Sequence, residues 1–206
     1  LLAKDRVPTE PQRRQAYQFL AKESERLQRL VEGLLDFGRM EAGAQTYRFE
    51  PLDIAELVRD VSAEFQEKVE AQRYRIEVSL EPACPAVRGD REALGRAVWN
   101  LLDNAVKYSR ESRTVWIELA RDGERAAVRV RDCGLGIPLE EQKQIFRKFV
   151  RGSNAKNGAV QGTGIGLAMV HHIVRAHGGE IRLESEPGRG STFTLLLPTA
   201  DLAPSR

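Results

Sequence analysis

GTGIGLAMVHHIVRAHGG, residues 162–179, sets glycines at alternate positions, Gly162, Gly164 and Gly166, directly ahead of an apolar run with helical spacing. The first amides of a helix have no internal partners. A bare terminus of this kind can hold an anion through its N–H groups and the helix dipole, with no side chain in the way. The spacing is not the G-x-G-x-x-G of a dinucleotide fold, and no Gly-Lys-Ser/Thr follows to make a P-loop. Taken alone, the cluster reads equally well as a hinge.

Working outward, EIRLESE and STFTLLLP follow as two strands, and the turn Pro187–Gly190 between them makes a hairpin. Upstream lie a polar loop, a short helix expected from Leu139 to about Phe149, and the glycine loop in RDCGLGIP. RAAVRVRD and TVWIELA before it alternate with period two, as does YRIEVSL through Tyr74, Ile76, Val78 and Leu80. One helix begins at Asp90. Another has Asp53 and Glu56 at capping-box spacing and an apolar face of Ile54, Leu57, Val58, Val61, Phe65 and Val69. The regular βαβ rhythm of a doubly wound sheet is missing, and neighbouring strands can pair as hairpins. The expected class is α+β: a two-layer α/β sandwich with a mixed or antiparallel sheet and helices on one face.

Before this sandwich, Leu20, Leu27, Val31 and Leu34 fall on a three-four spacing that Ser24 interrupts and Leu30 and Phe37 widen. That is a helix meant for other helices. Thr9 and Gln12, with Pro8 and Pro11, read as its turn and N-cap, so LLAK ahead of them reads as the tail of an earlier antiparallel helix. Gly38, Gly43 and Pro51 are expected to end the helix in a short linker. The organisation is therefore a partial helical hairpin over 1–44, the sandwich over 48–198 and a loose tail over 199–206.

The 206 residues carry a net charge of +2, which gives no electrostatic case for a nucleic-acid binder. Cys84 and Cys133 belong to no CxxC pair, so neither a disulfide framework nor zinc is suggested. No run of about 18 apolar residues suits a membrane, and no signal peptide opens the chain. A chain beginning at Leu1 reads as a piece of something longer.

The helix from Asp90 has two stripes. Leu94, Ala97, Val98, Leu101, Leu102 and Ala105 suit a sheet-facing side. Asn100, Asn104 and Lys107, with Tyr108 beside them, line a narrow polar face able to coordinate a hydrated divalent cation and phosphate oxygens. A solvated surface is the plainer account of that face. Asp132, at the end of a strand and followed by Gly134 and Gly136, could accept a hydrogen bond from an exocyclic amine while the glycines admit a flat base. A plain turn would show the same residues.

In their shared order these segments resemble the ATP-binding catalytic domain of sensor histidine kinases. That domain belongs to a superfamily with gyrase, the ninety-kilodalton heat-shock chaperone and the mismatch-repair ATPase. WNLLDNAVKYS is similar to the family's N box, DCGLGIP to its first glycine box, IFRKFVRG to its F box and GTGIGLAMV to its second glycine box. The likeness runs on through AHGGEIRLESEPGRGSTFTLLLP, and back through RLQRLVEGLLDFGRMEAG, which is similar to the second helix of the dimerisation and phosphoacceptor hairpin.

The resemblance implies ATP and Mg2+ as ligands. Asn104 would coordinate the metal with support from Asn100, and Lys107 would stand near the phosphates. Tyr108 would pack near the adenine, Asp132 would bind its amino group, and Gly134 and Gly136 would shape the base pocket. Gly162, Thr163, Gly164 and Gly166 would bring the second glycine box to the phosphates. Arg151 would reach the γ-phosphate from a lid over 151–161, with Phe146 and Phe149 beneath it. Implied partners are the histidine-bearing hairpin of the full-length kinase, a response-regulator receiver domain and, in the full-length protein, a second copy. A cytoplasmic setting, with the full-length protein open to membrane anchoring, is also implied, and no nucleic acid and no membrane contact by this fragment are expected.

Two positions modify that expectation. Hydrolytic members of the superfamily carry a water-activating glutamate four residues before the metal-binding asparagine, where Asn100 stands here, and an amide has no basicity at neutral pH. This favours phosphate transfer over hydrolysis. No histidine precedes His171, so the phosphoacceptor is expected outside this chain. His171, His172 and His177 take structural roles in the family. The competing readings are a hydrolytic ATPase and a nucleotide-binding module that acts by conformation.

Overall fold

The structure is a computed structural model that describes residues 9–41, 46–82, 84–109, 112–150 and 164–200, with part of the side chains of the first helix. It divides into two compact units, Leu1–Ala44 and Gln45–Arg206.

In the first unit α1 runs from Glu10 to Glu41. Thr9 N–H donates to Gln12 Oε1 at 2.9 Å and the Thr9 carbonyl accepts from Arg13 N–H, so the cap lies where the sequence puts it. The helix does not stop at Gly38. A glycine costs a helix only about 1 kcal/mol, and no proline breaks the amide ladder there. Tyr17, Phe19, Leu20, Leu27, Val31 and Leu35 are exposed along it. The side chains of Leu30, Leu34 and Phe37 lie outside the described set.

The second unit holds β1 (Glu50–Leu52), α2 (Ile54–Glu70), β2 (Arg75–Leu80), β3 (Val87–Gly89) and α3 (Arg91–Tyr108). These are followed by β4 (Thr114–Asp122), β5 (Arg125–Arg131), a single turn α4 (Leu139–Gln142), α5 (Gly166–Ala176), β6 (Glu180–Glu186) and β7 (Gly190–Pro198). The main sheet has the order β2-β4-β5-β7-β6 and is mixed. Only β2 and β4 pair in parallel, because α3 lies between them in the chain, and the remaining pairs are antiparallel.

Period two sets the faces of this sheet. Val115, Ile117 and Leu119 of β4, Val128 and Val130 of β5, and Phe193, Leu195 and Leu197 of β7 point to one side and are buried. Leu57, Val58, Phe65 and Val69 of α2, Leu94, Val98, Leu101 and Leu102 of α3, and Val170, Ile173 and Val174 of α5 are buried with them. The other side is largely polar, with Ala127 and Leu196 buried on it as a paired exception. Trp116 Nε1–H donates to Glu77 at 2.8 Å, Arg131 lies 4.3 Å from the Trp116 ring centre, and Arg129 pairs with Glu118 at 3.0 Å. This is the two-layer sandwich the alternation implies.

Asp53 caps α2 by accepting from the Ala55 and Glu56 amides, and Asp90 caps α3 by accepting from Ala93 N–H. Two details differ from the sequence reading. The antiparallel β1–β3 pair was not expected, since three residues are too few to display a period. The helix expected to reach Phe149 ends at Gln142. Beyond it Gln144 and Arg147 donate three residues back, and Phe149 at φ +60° turns its N–H to the Gly164 carbonyl at 3.0 Å.

Candidate functional site

Asp132 follows the last residue of β5 and is only 5% exposed. Its Oδ1 accepts from Gly134 N–H at 2.8 Å, and its own N–H donates to the Ser191 carbonyl at 2.9 Å. Burial pushes its carboxyl up to about 6, while the Gly134 and Ser191 amides act the other way. A buried carboxylate with no cation among these causes is an acceptor in search of a donor. An N–H group of a ligand would supply one.

The glycines beside it do different work from what their sequence suggested. A Cβ on Gly134 would meet the Tyr108 carbonyl at 2.2 Å, so the loop after Asp132 can lie against the end of α3 only because that Cβ is missing. Leu135 N–H then donates to the same carbonyl at 3.1 Å. Gly136 backs in the same way onto the Glu186 carbonyl of β6. The first glycine box is thus held between α3 and the β6–β7 hairpin, and Asp132 is fixed at its base.

On α3, Asn100 and Asn104 are both partly exposed. Asn100 Nδ2–H donates to the Arg96 carbonyl at 2.9 Å and lies 3.8 Å from Met169 Sδ. Its Oδ1 comes within 2.9 Å of where a Cβ on Gly166 would sit, which explains a glycine at the first residue of α5. The Asn104 side chain enters no hydrogen bond among the described residues. Lys107 is ion-paired with Asp103, which Lys68 of α2 also approaches at 3.3 Å. Its ammonium is therefore held by a carboxylate one turn back, on the α2 side. Tyr108 contributes its carbonyl to the glycine loop, and Ser109 bridges to Gly134.

Gly164, at φ +73°, sits against Phe149 and opens the approach to α5. Gly162, Thr163, Arg151 and the rest of the expected lid lie outside the described residues. Among the described residues, no cluster of His, Cys, Asp and Glu could hold a metal, and no helix is long and apolar enough to cross a membrane. Of the histidines, His177 is buried with both ring nitrogens engaged. One lies 2.7 Å from the Ile173 carbonyl and the other accepts Asp90 N–H at 3.0 Å. That pattern makes it a neutral Nδ1–H tautomer, and burial holds its pKa below the usual value. The His171 ring lies tilted against Phe146, with ring centres 5.9 Å apart.

The structure thus gathers Asp132, Gly134, Gly136 and Tyr108 at one end of α3, and Asn100 and Gly166 where α3 meets α5. Sequence reasoning missed the hairpin's part in this. Gln142, Ser185, Gly190 and Ser191 surround the glycine loop, and the only signal was the small-residue run in PGRGST, which suggested a turn and nothing more.

Comparison with known proteins accounts for this arrangement. Residues 89–201 match the family described as histidine kinase-, DNA gyrase B- and HSP90-like ATPase. The chain is 34% identical over 191 residues to the alginate biosynthesis sensor protein KinB of Pseudomonas aeruginosa, covering 93% of itself and 31% of that protein. A crystal structure of full-length ShkA in complex with AMPPNP aligns with a TM-score of 0.76 and 28% identity, over 97% of this chain and 41% of ShkA. The mycobacterial sensor histidine kinase MprB aligns with a TM-score of 0.63 and 31% identity, over 74% of this chain and 99% of that structure. The chain therefore spans about a third of KinB's length, and in the part it spans it belongs to the histidine kinase-, DNA gyrase B- and HSP90-like ATPase family as a sensor histidine kinase catalytic domain.

Proposed function

We propose that this chain is the ATP-binding core of a sensor histidine kinase, and that it transfers the γ-phosphate of ATP to a histidine outside the chain for relay to a response-regulator aspartate. The observation that carries the reading is Asp132. This buried acceptor has a backbone donor on one side and lines a concavity from which a ligand's N–H can reach it, as the exocyclic amine of adenine would. The glycine box sets it against the end of α3, the helix that carries Asn100 and Asn104.

Asn104 suits a divalent cation, since hard cations take neutral amide oxygens and this amide is partly exposed and not committed elsewhere among the described residues. Bound Mg2+ would supply charge neutralisation at the phosphates. The remaining work falls to the chain's own groups, and it is positioning rather than covalent help. Asp132 orients the base, Tyr108 flanks it, and the first amides of α5, kept bare by Gly164 and Gly166, face the phosphates with Gly162 and Thr163. Lys107 reaches the phosphates by exchanging Asp103 for a phosphate oxygen. Arg151 stabilises the transferring group.

Position 100 supplies an amide, which has no basicity at neutral pH and is anchored through its N–H to the Arg96 carbonyl, so α3 offers water no base there. His177 cannot serve as the acceptor, because both of its nitrogens are occupied in the interior. The native partners are a histidine-bearing hairpin in a dimer and a receiver domain. Incubation with γ-labelled ATP, Mg2+ and a hairpin segment carrying a phosphoacceptor histidine tests the proposal. Acid-labile, alkali-stable label on the hairpin is expected. Release of free phosphate at the same rate with and without the hairpin would overturn it.

A further inference from the structure

Besides the backbone bonds from Asp132 N–H to the Ser191 carbonyl and from Gly188 N–H to the Leu135 carbonyl, the loop that carries Asp132 is fastened to the β6–β7 hairpin through the Ser185 hydroxyl, which uses its full hydrogen-bonding capacity there. Ser185 Oγ–H donates to the Gly190 carbonyl at 3.0 Å, and the same oxygen accepts Ile137 N–H at 2.8 Å. Ser191 Oγ lies 2.9 Å away. A hydroxyl has one proton and two lone pairs. With the Ser185 proton committed to Gly190, the Ser191 hydroxyl must be the donor in that third contact. Gln142 of α4 closes the cluster, its Nε2–H groups donating to the Ile137 and Ser185 carbonyls at 3.0 Å each. From here the connection to Asp132 is direct, because the Ser191 carbonyl accepts Asp132 N–H and the Ser191 amide is one of the two groups that favour the ionised carboxyl.

Resting on the nucleotide-binding reading above, we propose that Ser185 is a positioning residue for base recognition: its hydroxyl locks the Gly190–Ser191 end of the hairpin to the glycine loop at Ile137 and so sets where the Asp132 carboxylate points. Removing the hydroxyl orphans Ile137 N–H and the Ser191 hydroxyl and takes one bond from the Gly190 carbonyl. The backbone bonds at Gly188 and Asp132 remain, but the contact at Ile137 loosens, the Ser191 amide shifts relative to Asp132, and the carboxylate loses part of a donor that favours its ionised form. The charged groups around this point are Arg131, Glu184, Glu186 and Arg189, which with Asp132 line a concavity of about 470 Å³. Arg131 is stacked on Trp116 and Arg189 is paired with Glu186 at 2.7 Å, so neither depends on Ser185. A change in Asp132 titration on substitution therefore reports its hydrogen bonds.

The test compares the wild-type chain with S185A, S185T and Q142A, following the Asp132 carboxyl by carbon NMR across pH and ATP affinity by calorimetry. The wild-type carboxyl should titrate near 6. S185A should titrate higher and bind ATP about tenfold more weakly, as a displaced contact residue requires. S185T, which keeps the hydroxyl, should restore both. Folded S185A with unchanged titration and affinity overturns the proposal. If S185A does not fold, Q142A decides, since it removes the two other bonds that tie the Ile137 end of the glycine loop to the Ser185 strand and should move both readouts in the same direction. Failure of the wild-type chain to bind ATP would count against the nucleotide reading, and the carboxyl titration would still decide the role of Ser185.

Discussion

Replacing Asp132 with asparagine should make the ATP-binding unit more stable at neutral pH while ending nucleotide binding. Burial pushes the carboxyl from its ordinary 3.8 to about 6. A shift of roughly two units corresponds to about 3 kcal/mol of penalty on the ionised form in the folded state. Because the folded value is the raised one, the native state holds the extra proton between these limits, and wild-type stability falls as pH rises from 3.8 to about 6. Asparagine keeps the oxygen that accepts Gly134 N–H and carries no charge, but its buried N–H group pays part of the gain back. The net is about 1–3 kcal/mol, or about 3–10 °C in Tm for a unit of this size. Melts followed by circular dichroism at pH 7.5 and pH 4 measure it. The variant should melt higher at pH 7.5, and the gap should close at pH 4. A variant less stable than wild type at pH 7.5, or a gap that ignores pH, would refute the account of Asp132.

Other consequences follow from the same geometry. ATP affinity should fall, by up to about tenfold per unit, as pH drops below about 6, since the ionised Asp132 is the stronger acceptor for the amine, and calorimetry across pH should show no such slope in a control ligand bound elsewhere. Gly166→Ala places a methyl carbon 2.9 Å from Asn100 Oδ1 and should cost about 1–3 kcal/mol. Adding Asn100→Ala should return part of that loss, and strict additivity in the double-mutant cycle would contradict the contact. His177 is neutral when buried and its pKa is lowered, so its contribution is intact above the unfolded value of 6.5 and is lost as pH falls through the folded value. Between pH 7.5 and 5, urea unfolding should therefore show wild type losing more stability, or gaining less, than His177→Gln, since Asp132 acts equally in both; identical pH dependences would exclude this cause.

The sandwich was legible because its core faces are regular. The alternation of Val115, Ile117 and Leu119, or the three-four run through Leu94, Val98, Leu101 and Leu102, follows from burying one face of a strand or helix against water. Asp132 was legible from its place at a strand end before glycines. What escaped were facts of tertiary contact. Gly134 and Gly136 stood out as glycines, yet the sequence could not say that their missing side chains make room for the Tyr108 and Glu186 carbonyls rather than for a ligand. Ser185 and Ser191 sit on strands whose pairing brings them face to face across the hairpin, a juxtaposition set by register. Lys107 matched the polar face of α3, but a carboxylate one turn back on the same helix competes for it, and both charges were visible in the sequence at i, i+4 spacing.

The central claim is that this chain holds ATP at the Asp132 end of α3, with the phosphates toward Asn104 and α5. Titration calorimetry of ATP with Mg2+ into the chain tests it most directly. Saturable one-to-one binding that Asp132→Asn abolishes, with the variant shown folded by its melt, is the expected result. A folded wild-type chain that releases no heat with ATP at millimolar concentration, or that binds ATP equally well without the Asp132 carboxylate, would contradict it.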